Sequence, residues 1–374
     1  MRRTTKPFGH GKGLNPLTPM ALGPLPEQPL VSILISNYNY GAYLGDAIES
    51  ALQQTYDKLE VVICDDGSTD GSRQTLERYR SHDRRIIVVY QGNGGQSLAL
   101  NAAFQKSTGD IICLLDADDV FLRDKVQRIV SGFAATPDAG FAVNRMLRVD
   151  RTRKYLGDVP LLSPLASGWI RPFLSLSAPH VASGLPPCSG LSLRRSVADA
   201  IFPLPRRLTA YADTLIQVLA PLITPIVAVE TPLSEYRVHG SNIAAVHEFD
   251  ESRLRNLAVY EREIWYAWRR FLASPFSGLP LSFPLPRKMP TSPMSYAHSR
   301  FRLRSTSRAD RQEISSEYFR TWPRSFRLYW RASFLMPDWL FRRSFAFMYG
   351  QTRAKILLGK VLRFYRKGFR LCEE

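Results

Sequence analysis

Four short apolar runs, each followed by a stretch with helical spacing, constrain this chain more than any other feature. Leu30–Ile35, Leu59–Cys64, Ile86–Tyr90 and Ile111–Leu115 are nearly continuous in apolar residues, and three are rich in β-branched ones. Between the first two, Tyr43, Leu44, Ala47, Ile48, Ala51 and Leu52 recur at helical intervals. The spacing predicts further helices over Ser72–Tyr79 and through Leu98, Asn101 and Phe104. Strand–helix repetition at this period predicts an α/β fold, a mostly parallel sheet with helices on both faces. Strands buried on both sides explain runs that do not alternate polar with apolar.

In such a sheet, ligands bind beyond the carboxyl ends of the strands. Three loops at those ends carry polar residues: Ser36-Asn37-Tyr38-Asn39-Tyr40, Asp65-Asp66-Gly67-Ser68 and Asp116-Ala117-Asp118-Asp119. They are expected to converge on one crevice. Asp116, Asp118 and Asp119 repel one another and need a shared counter-charge. A hard divalent cation with oxygen ligands supplies it. For that stretch alone the plainer alternative is a polar turn, with Asp118 or Asp119 capping a helix that starts near Arg123. Further on, the pattern predicts a helix over Lys125–Ala135, a strand over Phe141–Asp150 and a strand over Ser189–Leu193. A helix over Tyr211–Leu219 carries Asp213, and Ile226–Val229 is a strand. Residues 161–187, rich in Pro and Ser, are expected to form an acceptor-side flap.

The net charge of +17 is unevenly placed. Residues 1–250 hold 25 Lys and Arg against 24 Asp and Glu, whereas residues 251–374 hold 25 against 9. That last third pairs its base with aromatics such as Trp322, Trp330 and Trp339, which suits an anionic membrane surface. No apolar stretch is long enough to span a bilayer; the best, Leu215–Leu233, is broken by Pro221, Pro225, Glu230 and Pro232. No secretory signal core follows Arg2-Arg3. Cys64, Cys113, Cys188 and Cys372 lack metal-ligand spacing and read as thiols of a reducing compartment. A cytoplasmic protein, peripheral on the inner membrane face, is therefore expected. Residues 1–28 read as a disordered arm, 29–247 as the α/β domain and 248–374 as a basic helical region with a Pro-rich linker at 274–293.

Taken together the motifs resemble those of family 2 glycosyltransferases with the GT-A fold. The segments are Val31–Asn39, Asp65-Asp66-Gly67-Ser68-Thr69-Asp70, Asn93-Gly94-Gly95-Gln96 with Asn101, Leu115–Asp119, Ser189-Gly190 and Tyr236–Asn242, in the family's order. The resemblance covers residues 29 to about 245. It implies an inverting transfer from a nucleoside-diphosphate sugar to an acceptor hydroxyl, on a cell-envelope glycan or a lipid-linked acceptor. It implies Mn²⁺ or Mg²⁺ at Asp118, with His239 near the metal or pyrophosphate. Asp116 matches the residue that reaches the ribose, and Asp65 the one that accepts from the base. Ser36 and Tyr38 match the loop around the base, which Asp66 supports as part of the nucleotide site. Asp213 matches the general base, but the Glu that the family usually places before it is Ala212 here.

A catalytically inactive sugar-nucleotide binder is the alternative that Ala212 raises. A haloacid-dehalogenase-type phosphatase also carries Asp-x-Asp after a strand, but on its first strand, and here three strand–helix units precede it. A nicotinamide-dependent dehydrogenase would need G-x-G-x-x-G after the first strand, which is absent. Nucleic acid is an unsuitable partner because the predicted cleft is acidic.

Overall fold

A computed structural model describes residues 19–159, 164–171, 184–240, 242, 251–278, 285, 328–329, 332–333 and 335–349. Residues 1–18 of the expected arm, most of the flap and linker, and most of the basic region lie outside them. The described elements begin with β1 (Val31–Asn37), α1 (Gly41–Leu52), β2 (Leu59–Asp65), α2 (Ser72–His82), β3 (Ile86–Tyr90), α3 (Gln96–Lys106) and β4 (Ile111–Asp116). There follow β5 (Val120–Phe121), α4 (Lys125–Ala135), β6 (Phe141–Val149), β7 (Tyr155–Val159), β8 (Leu191–Arg194), α5 (Arg195–Ile201), α6 (Ala212–Leu219) and β9 (Ile226–Arg237). Beyond the sheet come α7 (Glu251–Leu272) and α8 (Asp338–Tyr349).

The strands form one sheet in the order β3-β2-β1-β4-β8-β6-β9-β5, with β7 paired to β6. The first four strands are parallel, as the strand–helix repeat requires. From β4 onward the sheet is mixed: β8 runs antiparallel to β4 and β6, while β6 and β9 are parallel. The parallel character therefore belongs to the N-terminal half. Side chains of β1 alternate between two buried faces. Ile33 and Ile35 join Leu44, Ile48, Val61, Ile63, Cys113, Val126 and Phe133 in one core. Ser32 and Leu34 are equally buried on the other face, where α3 packs on β1 and β2.

The chain divides into two compact units, residues 1–238 with 263–287 and residues 239–262 with 288–374. The first unit thus takes in the end of α7, where Ile264, Trp265, Trp268 and Phe271 are buried. Residues 19–28 do not behave as the expected arm. The Met20 N–H donates to Ile223 O at 2.7 Å, and Arg194 donates to Gly23 O. No described helix is long and apolar enough to cross a membrane.

Candidate active site

The register of the parallel strands builds the site. Across β1, Ser36 lies opposite Asp116 of β4, and Asn37 lies opposite Asp65 of β2. The three polar loops therefore leave neighbouring strands at the same end of the sheet.

The second loop is tied down by its own carboxylates. Asp65 Oδ1 accepts from Asn37 Nδ2 at 2.7 Å and from Ser68 Oγ at 2.5 Å. Ser68 Oγ in turn accepts from the Asn39 N–H at 2.9 Å, at a residue with φ of 58°. Asp66 faces away, toward the loop before α3. It accepts from Gln91 Nε2 at 2.6 Å and from the N–H groups of Gly94 and Gly95 at 2.9 and 2.7 Å. Its oxygens thus brace the glycine turn. Asp70 joins α1 to α2 by accepting from the Gly41 and Ser72 N–H groups. Tyr38 is exposed and Ser36 half-buried at the rim.

Asp116, Asp118 and Asp119 present carboxylate oxygens within 4.8 Å of one another. Burial, then the fields of Asp118 and Asp213, push the Asp116 carboxyl up to about 8. Asp119 is pushed well above the usual carboxylate range by burial and by Asp118 and Asp116. The phenols of Tyr40 and Tyr236 are raised too, by burial first and then by these three carboxylates. Burial leads each of these shifts, and the negative charge gathered in this confined place adds to it. An all-oxygen donor set in such a field fits a hard divalent cation.

Neither Asp118 nor Asp119 caps α4; that position is Asp124, without a side-chain cap bond. Asp119 is instead held on both oxygens. Ser189 Oγ donates to Oδ2 at 2.6 Å, and the Arg237 N–H donates to Oδ1 at 2.9 Å. Ser189 Oγ also accepts from the Asp116 N–H at 2.9 Å. Arg237, at the end of β9, reaches Asp46 of α1 at 2.7 Å and lies over the Tyr43 ring.

Asp213 stands in the first turn of α6, just after Tyr211, whose φ is 58°. Burial raises its carboxyl, and its charge adds to the raising of Asp116. Gln96 connects them: its side chain donates to Asp116 Oδ1 and accepts from the Ala212 N–H. His239 falls in the second unit, where its N–H donates to Asn242 Oδ1 at 2.5 Å.

Comparison with known sequences agrees with this geometry. The model of the family described as "Glycosyl transferase family 2" matches residues 32–175, which include the loops carrying Ser36, Asp65 and the three carboxylates. Residues 32–175 thus match a family 2 glycosyltransferase domain. An uncharacterized glycosyltransferase of Nostoc sp. (strain PCC 7120) is 36% identical over 218 residues, covering 57% of this chain and 66% of that protein. A chondroitin synthase of Escherichia coli is 40% identical over 109 residues, covering 29% of this chain and 16% of that protein. These relatives extend beyond the shared stretch. Among solved structures, Staphylococcus aureus TarS 1–349 in complex with UDP-GlcNAc is 18% identical with a TM-score of 0.48, covering 72% of this chain and 79% of that one.

Residue patterns alone do not single out Lys125, Ser189, Gln96, Tyr40 or Tyr236. Gln96, Ser189 and Tyr236 sit inside family motifs and Tyr40 directly follows one, so proximity to a motif is the available signal. Lys125 offers none.

Proposed function

We propose that this family 2 domain moves a sugar from a nucleoside-diphosphate sugar to an acceptor hydroxyl, with inversion at the anomeric carbon. The observation that carries it is the placement of Asp65 and Asp116 on the two strands flanking β1, their loops opening at the same end of the sheet. The Asp65 loop with Tyr38 and Ser36 would receive the base, with the Tyr38 ring free to stack on it. Asp116 would meet the ribose, and Asp118 with Asp116 would hold Mn²⁺ or Mg²⁺. A cation there supplies electrostatic stabilisation of the departing diphosphate. Asp213 would take the proton from the acceptor hydroxyl. Its raised affinity for a proton brings it closer to working pH, which suits a general base. Cell-envelope glycan or lipid-linked acceptors fit a chain whose basic, aromatic last third we assign to an anionic membrane surface.

The test is calorimetric titration of the full chain with UDP, GDP and dTDP, with and without Mn²⁺. We expect one of them to bind in a Mn²⁺-dependent way, and Asp118→Ala to lose at least tenfold in affinity. Binding that survives Asp118→Ala unchanged would falsify the assignment. A second reading, an inactive binder, rests on Ala212 standing where the family places Glu. It predicts Mn²⁺-dependent nucleotide binding with no release of nucleoside diphosphate from any donor sugar, in the presence or absence of acceptor.

A further inference from the structure

Lys125 opens α4, and its side chain is fully buried. Its Nζ donates to Ser189 O at 2.6 Å and to Ser234 Oγ at 3.1 Å, and lies 3.8 Å from the centre of the Phe121 ring. Ser234 Oγ spends its own proton on Ser189 O and accepts from Asn144 Nδ2. The three groups around Nζ therefore all accept. A neutral amine has two N–H bonds and would leave one of them unmet; the ammonium has three. The interior at this point is built around a positive charge.

That charge grips Ser189 by its carbonyl, and Ser189 grips the carboxylate trio by its hydroxyl. The same Oγ takes the Asp116 N–H and donates to Asp119 Oδ2, while Arg237 N–H fixes Oδ1. Asp119 is thereby turned toward protein donors on both edges.

We propose that Lys125 and Ser189 are positioning residues that withhold Asp119 from the cation, leaving Asp116 and Asp118 to meet it and the rest of its coordination open to diphosphate oxygens. This rests on the donor-binding reading above. A site offering three carboxylates would hold a bare cation well and a cation–diphosphate pair poorly, because a third anionic ligand both fills a position and repels phosphate. Removing the ammonium has the same sign, since it leaves the neighbourhood one charge more negative.

The experiment is calorimetric titration of the full chain with Mn²⁺ alone, then with UDP and with GDP at saturating Mn²⁺, for wild type, Ser189→Ala and Lys125→Met. Wild type should take up one Mn²⁺. Both variants should bind Mn²⁺ alone as tightly as wild type or up to tenfold more tightly, and bind the nucleotide at least tenfold more weakly. For Lys125→Met the nucleotide deficit should shrink in high salt. A structural defect alone would weaken both affinities together, and that result overturns the proposal, as does nucleotide affinity within twofold of wild type in both variants. If Lys125→Met does not fold by circular dichroism, Ser189→Ala decides by the same criteria. If wild type binds Mn²⁺ but neither nucleotide, the UDP/GDP donor reading fails on its own. The proposal is then judged on Mn²⁺ alone, where weaker binding by Ser189→Ala overturns it.

Discussion

Gln96 donates its side-chain amide to Asp116 Oδ1 at 3.3 Å, and the carbonyl of the same side chain accepts from the Ala212 N–H at 3.0 Å. One side chain thus spans from the strand end that carries Asp116 to the helix turn that carries Asp213. The backbone reinforces it: the Gln96 and Ser97 N–H groups donate to Thr209 O and Leu208 O. Gly95 allows the approach, because a Cβ there would lie 2.4 Å from Thr209 Cα, at a φ of +86°.

Gln96→Ala should leave this backbone contact and remove the strut. An error of about 1 Å between donor and base costs roughly 10²-fold in rate. The expected outcome is a fall of about ten- to a hundredfold in the transfer rate at saturating substrates, with Mn²⁺-dependent nucleotide affinity changed less than threefold. Steady-state kinetics beside calorimetry would check it. Equal losses in both would mean that Gln96 serves the donor side alone.

Asp66 accepts three hydrogen bonds, two of them from backbone N–H groups of the glycine turn. Asp66→Asn keeps the shape but replaces one accepting oxygen with an NH₂ group that faces a donor. Loss of one hydrogen bond to a charged group, with a donor left unmet, costs about 2 kcal/mol. Urea unfolding should show that loss at an unchanged slope. The turn leads into Gln96, so nucleotide affinity should fall less than the transfer rate does.

The parallel half of the sheet was legible because β1 to β4 are local: each strand, its loop and its helix are adjacent in sequence, and β1, β2 and β4 are buried on both faces. The mixed half was not. β8 enters between β4 and β6 from a segment about 40 residues beyond β6, and no local pattern encodes that insertion. The same holds for the site. Asp65 and Asp118 announce themselves as carboxylates clustered at strand ends. Ser189 reaches Asp119 across 70 residues of chain, and Lys125 reaches Ser234 across 109. A lysine at the start of a helix looks like solvent-facing charge until the strands that bury it are in place.

The Lys125 ammonium gives a pH signature in stability. Burial lowers its pKa from the ordinary 10.5 to about 8 in the folded protein. Between those values the unfolded chain binds more protons, so this residue's contribution to stability rises with pH across the window. Below pH 8 the penalty is fully present. A tenfold change in proton affinity is worth about 1.4 kcal/mol, which makes the whole gain on the order of 3 kcal/mol. Buried thiols act oppositely, Cys64 being pushed up to about 12 by burial, but they are common to wild type and Lys125→Met. The stability difference between the two proteins should therefore move in favour of wild type from pH 8 to pH 10. Urea midpoints at four pH values would measure it, and a flat difference would mean that Lys125 does not titrate in that range.

The assigned membrane surface makes the last prediction. In the second unit, α8 exposes Trp339 and Leu340 beside the exposed Arg342 and Arg343, while Phe341 is buried. Leu335, just before the helix, is 89% exposed. An apolar pair flanked by base is the arrangement of a helix lying in the interface, with aromatic insertion and charge attraction acting together. Each Lys or Arg near an anionic surface adds about 1 kcal/mol, and salt screens that part. The full chain should float with vesicles containing phosphatidylglycerol, less so at about 0.5 M salt, where charge attraction is screened, and not with purely zwitterionic ones. Replacing Trp339 and Leu340 by Ser should reduce flotation without altering Mn²⁺-dependent nucleotide binding, because the carboxylate site belongs to the other unit. Flotation indifferent to both lipid charge and these residues would instead leave the exposed pair to a protein partner.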